Sequence, residues 1–431
     1  MTFTQTQVLT VRAWGEVVGA VAAGTGRAYT FEYDPKWVRT GTPLSPILMK
    51  PTTRRRLFTF PGLNPDTFQN LPPMLADAAP DRFGNGIIDA VLAREGILPS
   101  QVTPLDRLAY VGSRAMGALT FTPDTSPSIV PTALEMNSLV EAARAAVQGN
   151  LSDEGVATES LAELIQVGTS AGGARAKAVI AWNRETGEIR AGGIEAPEGF
   201  EQWLLKFDGV GEDSQLGRGQ NYGRTEYAYF LMARAAGIQM ADSELLEEGG
   251  RAHFVTRRFD RPGTAGERLH MQSLCGLAAL DFNQVETHDY ASLFTVAQEL
   301  GANSGEQREE LFRRMVFNVL ASNNDDHTKN HAFLMDRQGM WSPSPAYDIT
   351  FAYNPASPWT RKHLMSVNGS FENITRNDLH AVGEKFMVPG YRGLVREVEE
   401  VVSAWPDFAA AAELPKERTK EVQERLDEVR L

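Results

Sequence analysis

Between Glu309 and Asn330 the chain changes character within a few residues, and that change limits what it can fold into. Leu311, Met315 and Val319 form one i, i+4 row, and Phe312, Val316 and Leu320 form an adjacent one. The spacing predicts a buried amphipathic helix over Glu309 to Leu320. The apolar pattern then stops. Ser322-Asn323-Asn324-Asp325-Asp326-His327-Thr328-Lys329-Asn330 follows without one apolar side chain. A wholly polar run that leaves a buried helix is held beside the core by its scaffold, which suits a site better than a solvated turn. Asp and Asn also cap ordinary turns, so the run by itself leaves the plainer reading open.

The spacing within this run carries chemistry. Asp325 and Asn330 stand as Asp-x4-Asn, and Asp348 of Tyr347-Asp348 lies eighteen residues further on. These side chains offer a base for an attacking hydroxyl and oxygen ligands for a small hard cation. Phosphoryl transfer needs that set. The Asp-x4-Asn spacing is the one a protein-kinase catalytic loop uses, with the Asp as base and the Asn and a later Asp as Mg²⁺ ligands. A zinc site at His327 and His331, four residues apart, is a weaker alternative because no third ligand is evident nearby.

Upstream, the order of elements points the same way. Gly168-Thr169-Ser170-Ala171-Gly172-Gly173-Ala174 is a glycine-rich loop. Lys177 to Trp182 reads as a strand, Asn183 to Glu188 as a turn, and Ile189 to Gly192 as the hairpin partner. Trp203 to Phe207 is a second strand, carrying Lys206 among Leu204, Leu205 and Phe207. Thr225 to Ala236 has helical composition and ends at Gly237, with Glu226 in its first turn. Ala252 to Arg258 is a further strand. Glycine loop, hairpin, strand with Lys, helix with Glu and connecting strand is the order of a kinase nucleotide lobe, where the Glu holds the Lys against the nucleotide phosphates. Lys206 as a surface residue and Glu226 as a simple helix N-terminal carboxylate are the competing readings. The loop matches neither a Walker A sequence nor Gly-x-Gly-x-x-Gly, so a flexible hairpin entry stays open for it.

Elsewhere, Val8 to Phe31 alternates apolar and small residues around several glycines and reads as a β-meander. Helices are expected over Ile87 to Glu95 and Leu134 to Val147, and a turn and strand over Gly112 to Thr122. The chain divides into a β-rich part with helices over residues 1–150, a nucleotide-binding part over 151–268 and a helical catalytic lobe over 269–431. The one cysteine, Cys275, excludes an internal disulfide and fits a reducing cytoplasm. The N-terminus lacks the basic and apolar regions of a secretory signal, and no apolar run reaches membrane-spanning length. A net charge of −13 argues against broad adhesion to nucleic acid or anionic membrane. Arg54-Arg55-Arg56 is a short basic run of the kind that usually forms a solvated edge.

Together these pieces resemble the HipA family of serine/threonine protein kinases, toxins of bacterial toxin–antitoxin pairs. The resemblance rests on Asp77-Ala78-Ala79-Pro80-Asp81-Arg82-Phe83-Gly84, Arg114-Ala115-Met116-Gly117-Ala118-Leu119, Ser170-Ala171-Gly172-Gly173-Ala174-Arg175-Ala176-Lys177, Arg258-Phe259-Asp260-Arg261, Asn324 to Asn330, and Ser344-Pro345-Ala346-Tyr347-Asp348, in family order. It implies an α+β fold with two kinase-like lobes, a β-rich N-terminal one and a mostly helical C-terminal one. It implies ATP and Mg²⁺ as cofactors. Asp325 would be the base, with His327 and Lys329 beside it in the catalytic loop, and Asn330 and Asp348 would hold the metal. Lys206, supported by Glu226, would contact phosphate, as would the loop residues Ser170, Ala171, Gly172, Gly173 and Lys177. Arg257 and Phe259 would offer backbone groups to adenine, and Ser170 would be autophosphorylated. The resemblance further implies a cytoplasmic protein, a protein substrate such as an aminoacyl-tRNA synthetase, and a helix-turn-helix antitoxin through which DNA is met indirectly. A small-molecule kinase on the same scaffold and an inert antitoxin-binding corepressor are the alternatives. The intact Lys206, Asp325, Asn330 and Asp348 weigh against the second.

Overall fold

The structure is a computed structural model that describes residues 3–24, 26, 28–126, 134, 136–147, 176–192, 196–210, 221–263 and 266–431. The glycine-rich loop, with Ser170, Ala171, Gly172 and Gly173, lies outside the described residues. The expected meander is three strands, β1 (Val8–Ala13), β2 (Glu16–Ala23) and β3 (Tyr29–Tyr33). With β4 (Leu57–Thr59) and β5 (Leu119–Thr122) they form an antiparallel sheet in the order β4-β3-β2-β1-β5. Alternation sets its buried face: Leu9, Val11 and Ala13 of β1 are buried between more exposed neighbours.

A second antiparallel sheet holds the expected hairpin, β6 (Lys177–Trp182) and β7 (Ile189–Ala191), and the lysine strand β8 (Glu201–Lys206). Strands β9 (Ser243–Glu248) and β10 (Arg251–Arg257) complete the order β7-β6-β8-β10-β9. The helices Arg82–Arg94 and Met136–Val147 cover one face, sealing Ile87, Ile88 and Leu139 against Ile180, Trp203 and Leu205. The helix Tyr222–Ala235 packs on β10, so closely that a Cβ at Gly223 would collide with the Ala252 carbonyl. This helix starts three residues before the expected Thr225, so Glu226 sits beyond its first turn. Its N-cap Asn221 is in the left-handed region, φ 62°, and makes no side-chain cap, so the usual sequence signal for a helix start is missing.

The remainder is largely helical, as expected, with a correction. A three-stranded sheet of β11 (His270–Ser273), β13 (Ala332–Met335) and β14 (Trp341–Pro343) lies within it, and a short parallel pair joins β12 (His288–Asp289) to β15 (Met365–Ser366). All four residues of β13 are buried, so no alternation betrays the strand. The periodic helix runs over Gly305–Leu320, opened by a capping box between Ser304 and Gln307. Its two apolar rows are buried as predicted. Among the described residues, no helix is long and apolar enough to cross a membrane.

The N-terminal sheet does not stand apart. Its Leu9, Val11 and Phe31 belong to the same continuous apolar cluster as Phe312, Met315 and Trp405 of the helical part. A buried ionic knot adds a polar tie. Asp260, fully buried, accepts from Arg258 Nη2 at 2.7 Å, Arg261 Nη1 at 2.6 Å and the Gly117 amide at 2.7 Å. Arg261 donates in turn to the carbonyls of Gly117 and Ala115 at 3.0 Å each. Gly117 can serve here because its φ of 80° suits glycine and a Cβ would stand 2.9 Å from the Met271 nitrogen. Burial alone pushes the Asp260 carboxyl up, but Arg258 and Arg261 outweigh it and hold the group well below the usual carboxylate range. Two of the sequence motifs singled out above thus bind each other. An Asp260→Asn substitution leaves two buried guanidinium groups without their anion and should cost about 3–5 kcal/mol. Urea unfolding checks this: the midpoint should fall with an unchanged slope, and a midpoint like that of the parent chain would contradict it.

Candidate active site

The register of the second sheet creates an electrostatic problem. Lys177 on β6 stands directly opposite Lys206 on β8, and both are buried. Like charges facing across a strand pair repel, and burial removes the water that would screen them. Carboxylates from three separate parts of the chain answer the problem. Glu226, on the Tyr222–Ala235 helix, meets Lys206 Nζ at 2.5 Å. Asp348 meets the same Nζ from the helical side. Asp81, from the N-terminal part, stands 3.3 Å from Lys177 Nζ. Asp81 is also the N-cap of Arg82–Arg94, where it accepts from the Gly84 amide at 2.6 Å. Burial lowers the proton affinity of Lys177, and Asp81 opposes this. Burial raises the Asp81 carboxyl, and Lys177 opposes that. The Lys206–Glu226 pair expected from strand and helix order is therefore present. The Asp81–Lys177 pair was not expected, because nothing local links the two residues.

Asp348 has φ 53°, a left-handed conformation that Asp tolerates better than most residues. Burial pushes its carboxyl up, but Lys206 and then Lys177 prevail and hold it down to about 2. It is thus an anion at any physiological pH. Asn330 donates its side-chain amide nitrogen to the Asp325 carbonyl at 2.8 Å, which leaves its side-chain oxygen able to accept from or ligate another group. Asn330, Asp348, Asp326 and Tyr347 line one small cavity behind the polar turn. An anionic carboxylate and an amide oxygen on one cavity fit a Mg²⁺ ion that keeps waters and takes phosphate oxygens as its other ligands.

The polar turn is braced from below. Asp326 is buried and accepts from Tyr290 Oη at 2.8 Å and the Leu364 amide at 2.7 Å, with His363 Nδ1 at 2.9 Å. Thr328 Oγ1 donates to the Leu280 carbonyl at 2.7 Å, and Tyr347 Oη to the Lys329 carbonyl at 2.7 Å. Asp325, by contrast, keeps 40% of its side chain exposed. Burial raises its carboxyl, against the lowering influence of His327 and of a hydrogen bond from Trp359. Trp359 Nε1 donates to Asp325 Oδ1 at 2.6 Å. No sequence signal marks Trp359, which lies in an irregular segment 34 residues downstream. The His327 ring packs between Phe282, 5.3 Å away, and Trp359, 6.2 Å away, and the Lys329 ammonium lies 5.4 Å from the Phe282 ring centre. Arg257 ends β10, gives its amide to the Asp242 carbonyl at 2.8 Å and pairs with Glu201 at 3.0 Å. Phe259 packs on Tyr347 at 5.8 Å. A partly exposed carboxylate, two further oxygen groups and two lysines are the kinds of group needed to deprotonate a hydroxyl beside a cation-bound polyphosphate.

Comparison with known proteins follows the same lines. The HipA N-terminal domain matches residues 9–122, and the HipA-like C-terminal domain matches residues 169–429. Y4mE of Sinorhizobium fredii is 29% identical over 147 residues, which are 32% of this chain and 35% of that protein. The serine/threonine-protein kinase toxin HipA of Shewanella oneidensis is 26% identical over 145 residues, 29% of this chain and 33% of that protein. The chain thus aligns with about a third of the length of these curated relatives. A solved structure of a HipA, HipB and operator DNA complex from Shewanella oneidensis covers 98% of this chain and 99% of the compared one, with a TM-score of 0.66 at 17% identity. At that identity the likeness is one of fold, and it extends over both lobes of the α+β architecture expected from the sequence. With the C-terminal match alone spanning more than half of its residues, the chain belongs to the HipA family.

Proposed function

We propose that this chain is an ATP-dependent serine/threonine protein kinase acting as the toxin of a toxin–antitoxin pair. One observation supports the reading: Lys206 pairs with both Glu226 and Asp348, Asp348 and Asn330 line one cavity, and Asn330 holds the Asp325 carbonyl. Bound Mg-ATP supplies the phosphoryl group and the charge-neutralising cation. Lys206, held by Glu226, binds phosphate oxygens, with Lys177 in reach on the neighbouring strand. Asn330 and Asp348 hold the cation, and Arg257 and Phe259 border the adenine. Asp325 takes the proton of the acceptor hydroxyl, supported by His327 and Lys329. The acceptor is a protein, such as an aminoacyl-tRNA synthetase. The Shewanella HipA in the structural comparison is complexed with HipB and operator DNA, which supports a helix-turn-helix antitoxin as partner here and DNA as an indirect one. The work of such a pair is cytoplasmic.

Asp325→Ala should leave the fold intact and lower phosphate transfer by about 10²–10⁴, the usual worth of a positioned proton acceptor. Incubation with Mg-ATP and a protein extract, followed by intact-mass and label measurements, checks this. A well-folded variant that transfers at the parent rate would remove Asp325 from the role.

Asp348→Asn removes the anion that meets Lys206 and that is proposed to hold the cation. Calorimetric titration with ATP should show Mg²⁺ strengthening binding in the parent chain and largely failing to do so in the variant. Equal Mg²⁺ dependence in both would refute the ligand assignment.

Ser170, between Gly168 and Gly172, is proposed as the autophosphorylation site. A phosphate there adds about −1.5 to −2 charges to a loop proposed to contact the ATP phosphates, so modification should lower activity. Prolonged Mg-ATP treatment should place a phosphate on Ser170, found by peptide mass spectrometry, and Ser170→Ala should resist the accompanying loss of activity. An unmodified Ser170 in a chain that phosphorylates other proteins would end this regulatory reading alone.

A further inference from the structure

The proposed base is held from a direction the catalytic-loop spacing does not foretell. Trp359 Nε1 donates to Asp325 Oδ1 at 2.6 Å, and His327 Nε2 approaches the same oxygen at 3.9 Å. Among the described residues, Oδ2 accepts no hydrogen bond. With 40% of its side chain exposed, Asp325 is held by few groups, and the indole bond engages Oδ1 and leaves Oδ2 for another partner. The segment carrying Trp359 is itself clamped to the two residues flanking Asp325. Asn324 Nδ2 donates to the Thr360 carbonyl at 3.0 Å, and Asp326 Oδ1 accepts from the Leu364 amide at 2.7 Å. His363 Nδ1 lies 2.9 Å from Asp326 Oδ2. Ser357 Oγ accepts from the Trp359 amide at 3.2 Å and fixes the local turn. The backbone that carries the indole therefore cannot drift relative to Asp325 without releasing these bonds.

We propose that Trp359 is a positioning residue for phosphoryl transfer, holding Oδ1 of Asp325 so that Oδ2 receives the acceptor proton. The role rests on Asp325 being the base. An indole N–H donates and never accepts, so it anchors one oxygen without competing for the transferred proton. As the acceptor oxygen bonds to the γ-phosphorus, its proton passes to Oδ2, and the bond from that phosphorus to the β-phosphate bridging oxygen breaks, its electron pair leaving with ADP. Trp359 keeps its proton throughout.

The test compares the parent full chain with Trp359→Phe, which keeps the ring bulk without the donor, and Trp359→His, which restores a ring N–H. Three quantities are read: the single-turnover rate of γ-labelled phosphate transfer into a protein extract, Mg-ATP affinity by fluorescent-nucleotide competition, and the thermal midpoint. Losing a charge-assisted hydrogen bond of this kind should slow transfer about tenfold to hundredfold in Trp359→Phe. Nucleotide affinity should stay within about twofold, and Trp359→His should recover part of the rate. A purely structural role would instead lower affinity, midpoint and rate together. A Trp359→Phe rate equal to or above that of the parent overturns the proposal, the faster case marking the indole as a plug over the base. As a check that needs no activity, the Trp359 indole proton in an NMR spectrum of the nitrogen-labelled chain should shift upfield in Asp325→Ala. An unmoved resonance overturns the contact itself. A parent chain that transfers no phosphate, with the indole shift intact, defeats the kinase reading and this role with it. A slow Asp325→Ala alongside a fast Trp359→Phe defeats this role alone.

Discussion

The facing lysines on β6 and β8 are the constraint around which the site is built. A strand register that sets two ammonium groups opposite each other in a buried place is stable only if anions are brought to it. The chain brings one carboxylate from the Tyr222–Ala235 helix, one from the left-handed turn at Asp348 and one from the cap of an N-terminal helix. Each carboxylate thereby ties a different part of the molecule to the same pair of lysines. Two lysines held among three carboxylates fix each other's positions, so the polar groups of the site are set by the fold itself.

This balance explains why the N-terminal part is woven into the rest. Asp81 caps its own helix and neutralises Lys177. Asp77 accepts from the Ser273 amide and Oγ at 2.6 Å each. Ala115 and Gly117 receive the Arg261 guanidinium beside Asp260. The two motifs of the first 120 or so residues make contacts to later parts of the chain. Their residue types follow from that work: a cap that can also be a counter-ion, a glycine that can turn and donate, carbonyls in reach of an arginine.

What was legible in the sequence follows from what local pattern can encode. Alternation exposed β1 to β3, a 3.6-residue period exposed the helix ending at Leu320, and the order of strand and helix pointed to Lys206 with Glu226. Spacing within a single turn marked Asp325 and Asn330. The pairs that escaped join residues with no local relation, Asp81 with Lys177 and Trp359 with Asp325. Each member reads as an ordinary cap, strand or loop residue until the fold brings its partner. Strand β13 escaped for another reason, since uniform burial erases the period that would reveal it. The left-handed Asn221 likewise hid the true start of the Glu226 helix.

The apolar cluster shared by the N-terminal sheet and the helical part has a consequence for how the molecule comes apart. Regions that own separate cores can open one at a time, whereas regions that interleave side chains in one core lose their solvent shielding together. Leu9, Val11 and Phe31 pack in the same cluster as Phe312 and Met315, so the N-terminal sheet and the Gly305–Leu320 helix share one core. The slowest-exchanging amides of β1 and of the Gly305–Leu320 helix are then protected by one common opening event.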